Sequence, residues 1–428
     1  MTHLTPVGRA AKPRQGAGAQ PGSGLRPISA LTRLAVVTVL ACLTACGTLP
    51  RNAVPPELMA TAVIPHMPYV RAPAGRPNPA MERDLEQSFA QESPEDFPRA
   101  EDGLVHYAHL ALSGGGSNGA FGAGFLNGWT STGKRPTFKI VTGVSTGALM
   151  APFAFLGPDY DDALREFYTT TRSRDIFVLP SLVRQLLVGE SLANTEPLAA
   201  LIAEYVNAAF LRKIADAHNR GLRLYIGTTD LDSQDFVVWN MGLIATSGRP
   251  EAVDLFRQVM LASASIPIAF PPVFFEVEAG GQRYDEMHVD GGVGARMFML
   301  GSLFSPSVIR ERAGRGDGRE DIFVIHNGRL AAVPMVTPRS LRGIARRTLD
   351  STGKSAAFGD LWRIYAMANR EQAGFHWITI TTNVAPTAEE VFDPERMRAL
   401  YDAGYETARA GPVWSTRPPR GLQWEATP

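Results

Sequence analysis

Cysteine is nearly absent from this chain. Only Cys42 and Cys46 occur in 428 residues, both at the end of an N-terminal apolar run, so no disulfide is expected and the body must be held by its core. Acidic residues are missing before Cys46, where Arg9, Lys12, Arg14, Arg26 and Arg33 stand without a single Asp or Glu. Over the whole chain 42 basic residues meet 42 acidic ones, which leaves no net charge to draw a polyanion, and no nucleic-acid partner is expected. Without the basic leader the balance tips to the acidic side. The apolar run Leu34 to Cys42 falls well short of the ~20 residues that span a bilayer, and it follows Arg33, the order of charge and apolar segment found in a secretion signal. Disorder throughout is excluded by the 45% of hydrophobic residues, enough for one large or two modest buried cores.

After that run, Leu43-Thr44-Ala45-Cys46 resembles the bacterial lipobox, in which the Cys thiol is acylated before the leader is cleaved. Residues 1–45 are therefore expected to be a lipoprotein signal peptide and Cys46 the lipidated first residue. This places the protein in the cell envelope; Gly47, in place of an aspartate that retains some lipoproteins at the inner membrane, points to the outer membrane, facing the periplasm. Residues 46–103 are rich in proline and are expected to form a tether without lasting helix or sheet.

From residue 104 the pattern changes. Leu104 to Leu112, Phe138 to Val141, Leu222 to Thr228, Phe236 to Trp239 and Ile322 to His326 read as strands, alternating with helix-like stretches such as the one from Pro197, where Leu198, Leu201, Ile202, Tyr205 and Val206 share a face. Such alternation predicts an α/β fold with a mostly parallel central sheet over residues 104–330. Residues 331–428 are expected to pack on the same body, with Phe375 to Thr382 as an edge strand. Within them Ser340 to Leu349 is a basic amphipathic stretch, either a solvated helix face or a surface for anionic lipid headgroups.

Three glycine-flanked motifs carry chemistry. Gly143-Val144-Ser145-Thr146-Gly147 sits between a strand and a helix-like stretch, the context of a nucleophile elbow, in which the serine occupies a tight turn and glycines clear the space on both sides. Upstream, Ser113-Gly114-Gly115-Gly116-Ser117-Asn118-Gly119 follows another strand and exposes backbone N–H groups, as an oxyanion hole requires. Gly114, Gly116 and Gly119 also satisfy the spacing of a dinucleotide fingerprint, but the acid that should follow at the end of the second strand is missing. The third motif is Val289-Asp290-Gly291-Gly292, which places a carboxylate beside glycines that permit close approach. No His/Cys/Asp/Glu cluster has metal-ligand spacing.

A glycine triplet, a serine elbow and a late Asp-Gly-Gly in this order resemble the patatin-like phospholipases. Leu261 to Pro272 and Gly189-Glu190-Ser191-Leu192 add to the resemblance, which covers about Leu110 to Asn327. It implies a three-layer α/β/α sandwich and a Ser-Asp dyad of Ser145 and Asp290. It further implies an oxyanion hole at Gly114, Gly115 and Gly116, supported by Gly119, Gly143, Gly147, Gly291 and Gly292. The implied reaction is hydrolysis of a phospholipid or other acyl-ester lipid through an acyl-enzyme, with no cofactor. Asn118 departs from the pattern, since many relatives carry Arg or Lys in the glycine loop. Two other readings stay open: a Ser-His-Asp esterase or thioesterase, for which His288 is the natural suspect beside His106, His109, His218, His326 and His376, and a non-catalytic lipid-binding envelope lipoprotein.

Overall fold

The computed structural model describes residues 49–178, 191–300, 305–381, 391–411 and 414–421. The chain divides into residues up to Pro50 and a compact unit from Arg51 on; the fold is that of the second unit. The signal peptide and Cys46 lie outside the described residues. Among the described residues no helix is long and apolar enough to cross a membrane.

A nine-stranded sheet runs β1-β5-β4-β3-β2-β8-β9, with β6 and β7 attached beside β4. Its strands are β1 Arg71–Pro73, β2 Val105–Leu112, β3 Phe138–Val144, β4 Arg223–Asp230, β5 Phe236–Asn240, β6 Val273–Ala279, β7 Gln282–Asp290, β8 Gly318–His326 and β9 Gly374–Thr379. The centre, from β4 through β3, β2 and β8 to β9, is parallel; β2, β3 and β4 are buried almost without interruption, as expected of strands covered on both faces, while β8 and β9 towards the edge alternate. Helices flank the sheet. Those used below are α1 Pro79–Ala90, α2 Gly119–Ser131, α3 Thr146–Leu156, α4 Glu196–Tyr205, α5 Ala252–Ser263, α6 Leu341–Arg370 and α7 Pro394–Arg409. The strand expected over Phe375 to Thr382 is β9, parallel to β8 at the sheet edge. The helix expected from Pro197 is α4, which buries Leu198 and Ile202 and is held at its start by Asn194 Oδ1 accepting the Glu196 amide at 2.8 Å.

The proline-rich segment is not a free tether. From Arg51 it packs on the body, burying Val54, Ile64, Met67 and Val70, adding β1 antiparallel to β5, and forming α1, which buries Met81, Leu85 and Phe89. Its prolines stand where no amide donor is needed: Pro79 opens a helix whose cap is Asn78, and Pro73 ends an edge strand. Buried charges lock the segment in place. Lys139 pairs with Glu92 at 2.5 Å and Arg223 with Asp84 at 2.7 Å.

Strand β4 positions the site. Its edge away from β5 is occupied by β3 as far as Val144, opposite Gly227, and then by β7, whose Asp290 stands opposite Thr228. The end of β3 and the end of β7 therefore meet on one edge, at the carboxyl ends of the parallel strands where α/β sheets form their crevice. The β6–β7 hairpin that brings Asp290 there turns through Gly280 and Gly281, both with positive φ, a two-residue turn of the primed type.

Candidate active site

Ser145 follows β3 with φ 57° and ψ −127°, a conformation rare for a residue with a side chain and held only because its surroundings force it. The elbow leaves room for hydrogen alone on both flanks: a Cβ on Gly143 would stand 2.4 Å from the Gly147 carbonyl oxygen, and one on Gly147 would stand 2.3 Å from that of Leu112. Ser145 Oγ donates to Asp290 Oδ2 at 2.7 Å, and the Gly292 amide donates to Asp290 Oδ1 at 2.6 Å. Both residues are buried, with 6% and 4% of their surface exposed. Burial pushes the Asp290 carboxyl up to about 6, held from rising further by the Ser145 hydroxyl, the Gly292 amide and the positive charge of Arg296. A carboxylate of that affinity is largely ionised at neutral pH yet basic enough to receive a proton.

The stretch Leu261 to Pro272 holds the backbones of both residues. Ser263 Oγ accepts the Ser145 amide at 2.9 Å and donates to the Gly227 carbonyl at 2.7 Å, while the Ser265 carbonyl accepts the Asp290 amide at 2.8 Å. Of Gly189-Glu190-Ser191-Leu192, the first two lie outside the described residues. The Leu192 amide donates to the Ile268 carbonyl at 2.9 Å, which ties the motif's end to this same stretch.

The glycine loop divides its labour in a way the sequence did not show. The Gly114 amide is already spent, donating to the Arg296 carbonyl at 3.0 Å, so Gly114 is not an oxyanion donor; its place is against Ser145, whose Cβ a side chain at 114 would approach to 3.1 Å. The half-buried amides of Gly115 and Gly116 have no hydrogen-bond partner among the described residues and remain the candidate donors. Asn327 fixes this loop after β8: its amide donates to Ser113 Oγ at 2.8 Å and its Nδ2 to the Ser113 carbonyl at 2.9 Å. A Cβ on Gly115 would lie 1.9 Å from the Asn327 carbonyl oxygen. Gly115→Ala is therefore expected to push the loop out of register and lower kcat by about 10²- to 10³-fold, the usual cost of a lost oxyanion donor. Steady-state kinetics beside near-ultraviolet circular dichroism check this against general unfolding. Of the supporting glycines, Gly119 opens α2, Gly291 packs on the Gly227 carbonyl, and Gly292 contributes its amide to Asp290.

Asn118 is not left without a cation. Arg396, on the tail helix α7, donates from Nη2 to Asn118 Oδ1 at 2.7 Å and from Nη1 to Ser117 Oγ at 3.2 Å. The next residue, Met397, joins Leu149, Phe167, Ile176, Leu198 and Phe270 around a narrow apolar crevice of about 30 Å³ that opens at Ser145. Ile266 and Ile268 stand exposed beside it. Sequence inspection could not have found Arg396, since nothing near it marks a site.

None of the suspected histidines bonds to Ser145 or Asp290. His288 is buried between Thr228 Oγ1, at 2.9 Å from Nδ1, and Glu286, at 3.3 Å from Nε2. His106 faces Asp102, His109 Glu320, His218 Asp84, His326 Thr379 and His376 Asp321. Asp230, Glu286 and His288 converge closely enough to suggest a metal site. Arg71 already supplies the positive charge there, ion-paired with Glu286, and Asp230 accepts from Ser233 Oγ and the Asp232 amide.

Comparison with known proteins matches residues 110–300 to the family model described as Patatin-like phospholipase. No curated protein sequence matches the chain. Among solved structures, VipD from Legionella pneumophila is 14% identical with a TM-score of 0.34, covering 74% of this chain and 69% of its own. The type III effector ExoU, of Pseudomonas aeruginosa, is 14% identical with a TM-score of 0.30, covering 73% and 55%. Human GIVD cytosolic phospholipase A2 is 12% identical with a TM-score of 0.28, covering 67% and 51%. This chain thus spans little more than half the length of the latter two.

Proposed function

Because residues 110–300 form a patatin-like phospholipase domain, we propose that the protein is a serine lipid acyl hydrolase of the phospholipase A or lysophospholipase type, working through a dyad of Ser145 and Asp290. The observation that carries this reading is the 2.7 Å bond from Ser145 Oγ to Asp290 Oδ2 at a strained elbow. In the reaction Asp290 takes the hydroxyl proton as Ser145 Oγ attacks the ester carbonyl, and the amides of Gly115 and Gly116 receive the developing oxyanion. Asp290 returns the proton to the departing alcohol, which leaves an acyl-enzyme on Ser145. Water, deprotonated by the same carboxylate, then releases the fatty acid. The apolar lining of the crevice at Ser145 matches the chemistry of an acyl chain, and the crevice has to widen from about 30 Å³ to admit one. The positive charge that Arg396 brings to the glycine loop favours negative charge nearby.

Incubating the purified protein with a mixed lipid extract and identifying products by mass spectrometry tests the reading: free fatty acids are expected, and no released product would overturn it. Labelling by a fluorophosphonate ester separates this enzyme from a silent lipid-binding lipoprotein, because only an activated serine reacts. The Ser-His-Asp alternative is disfavoured because none of the described histidines bonds to Ser145 or Asp290, whose hydroxyl and carboxylate bond each other directly.

The protein is further proposed to be held at the envelope by acylation of Cys46, facing the periplasm from the outer membrane. The exposed side chains of Met335, Val336, Leu341 and Ile344, set among Arg339, Arg346 and Arg347 near the start of α6, suit contact with an anionic lipid surface. Cys46→Ser is expected to move the protein from the membrane to the soluble fraction, and the wild-type mature chain should be heavier than its sequence by attached acyl groups. Unchanged fractionation would remove the anchor.

A further inference from the structure

The loop after Asp290 brings a second charged side chain to the reacting pair. Arg296 is pinned by its backbone, its carbonyl accepting the Gly114 amide at 3.0 Å and its own amide donating to Asp360 Oδ2 at 2.7 Å. From there the half-buried side chain turns back towards the catalytic acid: a Cβ built on Gly292 would lie 2.9 Å from Asp290 Oδ1 and 3.1 Å from Arg296 Nη1. On its other side the guanidinium faces α6, where a Cβ on Gly353 would stand 3.4 Å from Arg296 Cζ.

No hydrogen bond or ion pair among the described residues holds this guanidinium. Asp290 commits its oxygens to Ser145 and Gly292, and Asp360 gives its second oxygen to Arg363. The surroundings add positive charge, since Lys354, next to Gly353, hydrogen-bonds among the described residues to a carbonyl, that of Ala331 at 3.0 Å, with the carboxylate of Asp350 nearby. Arg296 and Lys354 both act on His326 at the end of β8, which burial and these cations keep neutral. A fork of donors left unmatched beside a buried serine fits an oxyanion supplied from outside, and the planar geometry of arginine matches two phosphate oxygens at once.

We infer that Arg296 binds the phosphodiester of a glycerophospholipid or lysophospholipid whose acyl ester lies on Ser145. This rests on the acyl-hydrolase reading above and adds the residue that recognises the substrate's phosphate. In such a lipid the phosphate is joined to the ester through the glycerol carbons alone, so a cation beside the reacting pair meets it whenever the ester is seated. The apolar crevice that takes the acyl chain has no Arg296 in its lining. The two ends of the substrate therefore meet different walls.

The test compares a lysophospholipid with a monoacylglycerol of the same acyl chain, using the full-length protein and the variants R296Q and R296K. The wild type is expected to prefer the lysophospholipid in kcat/KM. R296Q should lower that preference by about tenfold or more, chiefly through KM, and R296K should restore part of it because a point charge replaces the fork. An equal loss on both substrates, with a shifted acid limb of the pH profile, would mean that Arg296 acts only on Asp290 or on the fold, and would overturn the inference while leaving the hydrolase reading intact. A wild type that cleaves the monoacylglycerol as well as the lysophospholipid would also overturn it. A wild type that cleaves neither fails the hydrolase reading itself, and the inference with it. Inorganic phosphate added to the monoacylglycerol assay distinguishes the source of the anion: inhibition lost in R296Q, without any lysophospholipid preference in the wild type, would make this a free-phosphate site and overturn the headgroup assignment.

Discussion

Ser145→Ala is expected to abolish both ester hydrolysis and fluorophosphonate labelling, with a fall in kcat on the order of 10⁶-fold, as when other serine hydrolases lose the nucleophile. The magnitude follows from the chemistry. Without Oγ there is no acyl-enzyme, and the amides of Gly115 and Gly116 can stabilise only slow attack by water. The fold should survive, because the backbone of Ser145 is held by Ser263 Oγ and not by its own hydroxyl, whose partner among the described residues is Asp290 Oδ2. Circular dichroism and thermal melting check that the protein remains folded. Labelling that persists on another serine would remove Ser145 from the mechanism.

Asp290→Asn should lower kcat by about 10²- to 10⁴-fold or more, the range for a lost general base, and should at the same time make the protein more stable at neutral pH. The two effects share one cause. Burial places the folded-state affinity of Asp290 at about 6, above the ~3.9 of an exposed aspartate. The ionised form is thus disfavoured by folding, and this cost is fully present above pH 6, is lost as pH falls from about 6 to 4, and is absent below 4. At pH 7.5 it is on the order of 3 kcal/mol, which asparagine does not incur. The melting temperature of D290N should therefore exceed that of the wild type at pH 7.5 and approach it at pH 4. For wild-type activity the sign is opposite: the base must be ionised, so kcat/KM should fall as pH drops through about 6, with Asp290 and no imidazole on the acid limb. His288→Asn is the control. It loosens the bonds to Thr228 and Glu286 and should cost far less activity than D290N. Equal damage in a folded H288N protein would replace the dyad with a triad.

Local patterns carried much of this outcome into view. The elbow at Ser145, the glycine loop and the Asp-Gly-Gly at 290 were legible because each motif needs its residues within a few positions of one another, and the strands β2, β3, β4, β5 and β8 were legible because strands in the middle of a sheet are short apolar runs. The β6–β7 hairpin was missed, although Gly280-Gly281 between two alternating runs is a turn signal that could have found it. The proline-rich segment was misjudged for a different reason: proline forbids interior positions of helices and sheets, but not the first turn of α1 or the edge strand β1.

What composition and motif decided is therefore the fold class and the choice of Ser145 and Asp290 as a pair that the fold should bring together, since spacing and residue chemistry are local properties of the chain. Three features of the site were settled only when distant segments came together. Gly114 lost its role as a donor because the carbonyl of Arg296 reaches it, a hydrogen bond that depends on where β7 ends. Arg396 reached Asn118 only because the tail helix α7 packs on α2 so closely that a Cβ on Gly124 would stand 1.9 Å from the Tyr401 carbonyl oxygen. Asp290 acquired its affinity for a proton from burial, which no spacing encodes. Backbone hydrogen bonds, close helix contacts and desolvation all depend on separation in space, and the order of residues along the chain constrains that separation only through the completed fold.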